Sequence, residues 1–154
     1  MSATLGLLAL LVGCGGGEQA TVPQAQPAEE THASIGDHTV HFSAQLTNAI
    51  PPEIARAYNI VRSKNRAMLT VSVIDNETDL PVTADVTVKT QNLTGQLKNV
   101  VVREIREPGD IVAIYYIGET AVANRETLIF DISVIPDGKT TPRTVRFQRQ
   151  FYTD

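Results

Sequence analysis

From Ile35 onward the chain alternates. Val40, Phe42, Ala44 and Leu46 are separated by His41, Ser43 and Gln45, the period of a strand with one face on a core. Residues 68–74 repeat the pattern, and in residues 82–88 the even positions are apolar. Residues 97–105 predict a fourth strand and residues 111–117 a fifth. The fifth is apolar at both parities, as in a central strand covered on both faces. Leu128, Phe130, Ile132 and Val134 mark a sixth, and Val145, Phe147 and Phe151 a seventh. Gly, Pro, Asn and Asp punctuate the intervals at residues 75–81, 107–110 and 136–139. About seven short strands at this spacing predict an all-β fold, an antiparallel immunoglobulin-like β-sandwich.

One segment, residues 51–59, breaks the period of two. Pro52 suits a first helical turn and Glu53 favours its positive end. Ile50, Ile54 and Tyr58 recur every fourth position on one face, and Asn59 suits a left-handed close. A helix of two turns is unstable alone, so it must dock on the sandwich.

Before Ile35 the pattern is different in kind. Residues 5–13 are uncharged and mostly apolar, too short for a membrane span of about 20 residues but the length of a signal-peptide core. Leu11-Val12-Gly13-Cys14 resembles the lipobox of bacterial lipoproteins: an aliphatic residue, two small ones, then cysteine. The resemblance implies cleavage before Cys14 and a lipid on its sulfur, which anchors the protein to a membrane. Gly15 stands where an Asp would favour the inner membrane, which leans the expectation toward the periplasmic face of the outer membrane. The leader departs from the usual pattern in having no Lys or Arg ahead of its apolar run. Residues 15–34 are rich in Gly, Pro, Gln, Ala and Glu, a composition that reads as a disordered tether. The expected organisation is a leader over 1–13, a lipidated cysteine and tether over 14–34, and a β-sandwich over 35–154.

Charge narrows the partners. The formal net charge is −4, and three of the acids, Glu18, Glu29 and Glu30, precede Ile35. The remainder is close to neutral, so nothing in the charge favours nucleic acid. With Cys14 the single cysteine, no internal disulfide can form, and the sandwich must rest on its core.

The motifs then add a resemblance. Gly36-Asp-His38, Val40-His-Phe42, Pro52-Glu-Ile-Ala-Arg56, Arg62-Ser-Lys-Asn-Arg-Ala67, Asn92-Leu-Thr-Gly-Gln96 and Ala113-Ile-Tyr-Tyr-Ile117 together resemble the domain of unknown function 4426 family of proteobacterial envelope proteins. The likeness extends over residues 35–152. It implies a small exported β-sandwich. It implies no reaction, cofactor or partner.

No catalytic group is expected. Ser63 lies in the Arg-Ser-Lys run without a glycine elbow. His38 and His41 are three apart on a strand and point to opposite faces, poor geometry for a metal, so both read as surface residues. Asn76-Glu-Thr78 and Asn92-Leu-Thr94 read as ordinary turns. Arg149 shares the inward parity of Val145 and Phe147, and should find a carboxylate or lie at the sandwich edge. Two functions stay open, neither needing a cofactor. One is a membrane-tethered module that docks an envelope protein, with Arg56, Arg62, Lys64 and Arg66 as its surface. The other is a binder of a small or lipidic ligand in a cavity lined by Ile54, Tyr58 and Tyr115.

Overall fold

The structure is a computed structural model that describes residues 29–154. Cys14 and the apolar leader lie outside the described residues. Strands β1 (His32–Ile35) and β2 (His38–Leu46) form a hairpin turned by Gly36, whose φ of 72° suits a residue without Cβ. A short turn of 3-10 helix (Thr47–Ala49) and helix α1 (Pro52–Ala57) lead to β3 (Arg66–Asp75). Then come β4 (Leu80–Pro81), β5 (Ala84–Asn92), β6 (Leu97–Lys98), β7 (Arg103–Glu107), β8 (Ala113–Ala121), β9 (Thr127–Pro136) and β10 (Arg143–Gln150). All pairings are antiparallel. One sheet runs β1-β2-β3-β8-β7 with β4 beside β3, and the other runs β10-β9-β5-β6.

Period-two residues from both sheets make the core. Val40, Phe42, Leu69, Val71 and Val73 of one sheet face Leu128, Phe130, Ile132 and Val134 of the other. Phe147 stacks between Phe42 and Phe130, with centroids 4.7 and 4.9 Å away. Burial of these side chains is the main favourable term in folding.

Several expectations are revised. The described residues form ten strands rather than about seven, the extra ones being β1, β4 and a division within residues 97–105. That run is not one strand. Leu97–Lys98 pairs with β5 in one sheet, and Arg103–Glu107 pairs with β8 in the other. The chain crosses between sheets through Val100, Val101 and Val102. It can pass so close because it lies over Gly118, where a Cβ would sit 2.5 Å from a methyl of Val100. The fifth strand begins at Ala113, leaving Ile111 and Val112 exposed in the turn. The sandwich begins at His32, because Thr31 to Ile35 add an edge to β2, and the Phe42 amide donates to the Thr31 carbonyl at 2.9 Å.

The registers define two ends. One carries the turns at 36–37, 76–79, 108–112 and 137–142. The other carries residues 47–65 with α1, the turn at 93–96, the β8–β9 connection at 122–126, and residues 151–154.

Candidate functional site

Helix α1 forms where the sequence predicts. Pro52 stands in its first turn, the Ala55 amide donates to the Pro51 carbonyl at 3.0 Å, and Asn59 closes it at φ 54°. Its packing face rests on the outer side of the larger sheet. Ile50, Ala55 and Ile60 cover Met68 of β3 and Ile117 of β8, forming a second apolar cluster apart from the main core. This explains the double parity of β8: the sandwich core covers one face and α1 the other.

The fit of α1 on the sheet is incomplete. Between them lies a hollow of about 220 Å³, whose lining includes Ile54, Tyr58, Tyr115, Ile105, Met68 and Ile117. The structure thus brings Ile54, Tyr58 and Tyr115 to one cavity. Tyr58 donates its hydroxyl to Glu107 Oε1 at 2.5 Å. That bond, with some desolvation, holds the phenol above its ordinary range. Arg103 donates to the Tyr58 carbonyl, fixing the C-terminal end of the helix to β7. Beyond Thr70 and Tyr115 the same sheet face continues as a polar hollow lined by Thr31, His41, Ser43 and Ser72. The one sign of this polar extension in the sequence is the outward parity of His41 and Ser43.

The side chains of the basic run have different partners. Arg62 turns back into the fold. Its Nε donates to the Ile50 carbonyl at 2.8 Å and Nη2 to the Asn48 carbonyl at 2.7 Å. Beside it the buried Thr47 hydroxyl donates to the Val61 carbonyl at 2.8 Å and accepts the Ser63 amide at 2.9 Å. The two side chains clamp the loop after α1 to the segment before it. Arg66 points to Glu119, 3.4 Å away. Arg56 and Lys64 are exposed. Arg62 is therefore a strut and Arg66 half of an ion pair. Arg149 meets the carboxylate of Glu29 at 2.6 Å.

His38 differs from its expectation too. It is buried, with Nδ1 2.7 Å from Asp37 Oδ1 and Nε2 3.8 Å from Asp75 Oδ2. Its parity matches Val40 and Phe42, so the inward placement was readable. His41 faces outward and is exposed. Asp37 also takes the Lys139 ammonium at 2.6 Å, tying the β1–β2 turn to the β9–β10 loop. Among the described residues no three His, Cys, Asp or Glu side chains gather in a metal-binding group.

Lys139, followed by His38, lowers the Asp37 carboxyl to about 2. A depressed carboxyl stabilises the fold above its unfolded pKa, and that contribution disappears as pH falls toward the folded value. Lys139→Met should move the Asp37 titration up toward the ordinary carboxylate range. Carboxyl carbon shifts followed by NMR from neutral to acid pH would register the change, and an unmoved midpoint would remove Lys139 as the main cause.

The turn asparagine expected at 92–94 is present: Asn92 Oδ1 accepts the Thr94 and Gln96 amides at 3.1 and 2.9 Å. In the earlier turn the capping group is Asp75, which accepts the Glu77 and Thr78 amides.

The described domain can be set against known proteins. A DUF4426 family protein from Pseudomonas aeruginosa PAO1, solved as a crystal structure, superposes with a TM-score of 0.70 and is 30% identical. The match covers 82% of this chain and 96% of that one. No curated protein matches the chain. The family model described as "Domain of unknown function (DUF4426)" matches residues 32–154, nearly the whole described sandwich, and the chain belongs to that family.

Proposed function

We propose that the protein is a lipid-tethered interaction module on the periplasmic face of the cell envelope, at the outer membrane, and that it binds an extended peptide segment of an envelope protein. The role is binding, and no reaction is assigned to it. The anchoring part rests on the lipobox-like Leu11–Cys14 run and the leader ahead of it. The binding part rests on one observation: an apolar hollow under α1 continues, across Thr70 and Tyr115, into a polar one along the same sheet face. At about 220 Å³ the apolar part is smaller than the roughly 300–1,000 Å³ of small-molecule sites. It suits one large apolar side chain, the kind of anchor that dominates protein interfaces. The hydroxyls and imidazole beyond it suit the backbone groups on either side of such an anchor.

A photo-crosslinking residue in place of Ile54 tests this in the lipidated protein in its own envelope. A discrete protein adduct is expected there, and none from the same residue at Ile129 on the other sheet. Tyr115→Arg, which fills the hollow with charge, should abolish the adduct. An adduct that survives Tyr115→Arg, or one formed equally at Ile129, would overturn the site. Recovery of a crosslinked lipid instead would favour the ligand-binding reading.

A further inference from the structure

The two ends of the sandwich differ in charge. The loops at 36–37, 76–79, 108–112 and 137–142 carry Asp37, Glu77, Asp79, Asp110 and Asp137 against Lys139. The loops at 47–65, 93–96, 122–126 and 151–154 carry Arg56, Arg62, Lys64 and Arg125 against Glu53, Glu126 and Asp154, and the entering segment adds Glu30 and Glu29, the latter paired with Arg149. The second end also holds large apolar side chains standing in water. Val61 is 62% exposed, Leu93 68%, Leu97 65% and Tyr152 61%. They come from four separate places in the sequence: the loop after α1, the β5–β6 turn, β6, and the segment after β10. Packing explains none of them. At the acidic end Leu80, Ile111 and Val112 are exposed as well, but they stand among carboxylates.

The chain approaches from the second end. Thr31 lies beside Phe42, midway along β2, and Glu29 before it reaches Arg149, which pairs with Leu128 next to the start of β9. Cys14 lies only fifteen positions before Glu29.

We propose that this end of the domain faces the membrane and seats its loop tips in an anionic lipid surface. Val61, Leu93, Leu97 and Tyr152 enter the interfacial layer, as aromatic and aliphatic side chains do, with Lys64 and Arg125 against the lipid phosphates. The acidic end is repelled and points away. The hollow under α1 opens on the flank of the sheet, so a partner can still reach it. The inference rests on the reading that places the domain beside a membrane. Its experiment needs no lipid on Cys14, so the two fail separately.

The full chain carrying Cys14→Ser would receive an environment-sensitive fluorophore at Leu97→Cys or, as the far-end control, at Leu80→Cys. On vesicles containing phosphatidylglycerol, emission from position 97 should shift to shorter wavelength and emission from position 80 should not. Vesicles of phosphatidylcholine alone should give a weaker shift at 97. Each cation near an anionic surface is worth a factor of about five in affinity. Lys64→Glu with Arg125→Glu should therefore weaken the response at 97 by about twenty-fold or more. A shift at 97 that survives this reversal would assign the contact to the apolar leader and overturn the surface. Equal shifts at both positions, or none at 97, would overturn it too.

Discussion

Phe130→Ala should cost the domain about 3–5 kcal/mol, the range for deleting a buried aromatic ring. Phe130 is 1% exposed and lies 4.9 Å from Phe147, which in turn stacks on Phe42. The protein has no tryptophan, so these rings are the largest apolar groups holding the sheets together. Truncation removes the transfer energy of one ring, opens a cavity between rigid sheets, and leaves Phe147 with a partner on one side only. A domain of this size holds about 5–15 kcal/mol in total. The variant should lose a large share of its urea midpoint with little change in slope. Ile129→Ala, one position away on the half-buried outer face, is the control and should cost clearly less. Equal losses from the two variants would mean that the sandwich interior is not where the stability resides.

The strands behind that core were legible because one face of each is dry. Val40 to Leu46, the even positions from Leu128 to Val134, and Val145 with Phe147 all alternate because the other parity meets water. Two features were harder to read, for physical reasons. Residues 97–105 keep the apolar content of a strand while the chain leaves one sheet for the other, and composition does not register that change. The local sign was three consecutive valines at 100–102, which abandon period two, and a glycine at 118 on the strand they cross. The β1 strand was hidden by its own edge position. Its His32 and Ser34 are polar because one side of it stays exposed, so it blends into the tether composition.

The site divides in the same way. Ile54 and Tyr58 were readable as one helical face, and Tyr115 as the outward parity of a strand too apolar for open water. The charged residues around them were not readable, because an arginine side chain long enough to reach a carbonyl leaves no periodic trace. Arg62, Lys64 and Arg66 alternate in sequence and on a strand would line one exposed edge. The fold bends the loop at Ser63 and Asn65 instead, where the Ser63 hydroxyl accepts the Asn65 amide at 3.1 Å.

Arg62→Glu tests what that bend does. If Arg62 only decorated a surface, reversal would cost under about 0.5 kcal/mol. As a strut it makes two bonds to the carbonyls of Asn48 and Ile50. Hydrogen bonds to charged groups are worth about 1.5–3 kcal/mol each, and exposure of the guanidinium discounts the pair to roughly 2–3 kcal/mol in all. A glutamate would also set a carboxylate against the same carbonyls. The loss should be local: α1 and the loop to Ser63 should loosen while β3 and β9 remain closed. Hydrogen exchange should therefore quicken at the amides of Ala55, Tyr58 and Ile60, which donate to the carbonyls of Pro51, Ile54 and Ala55, and stay slow at Val71 and Ile132. The hollow would lose its roof, and the crosslink from position 54 should vanish with it. Lys64→Glu, two positions along and exposed, should leave exchange at these amides as it is. Matching behaviour of the two variants would return Arg62 to the surface patch and remove the clamp from the account of how α1 is held.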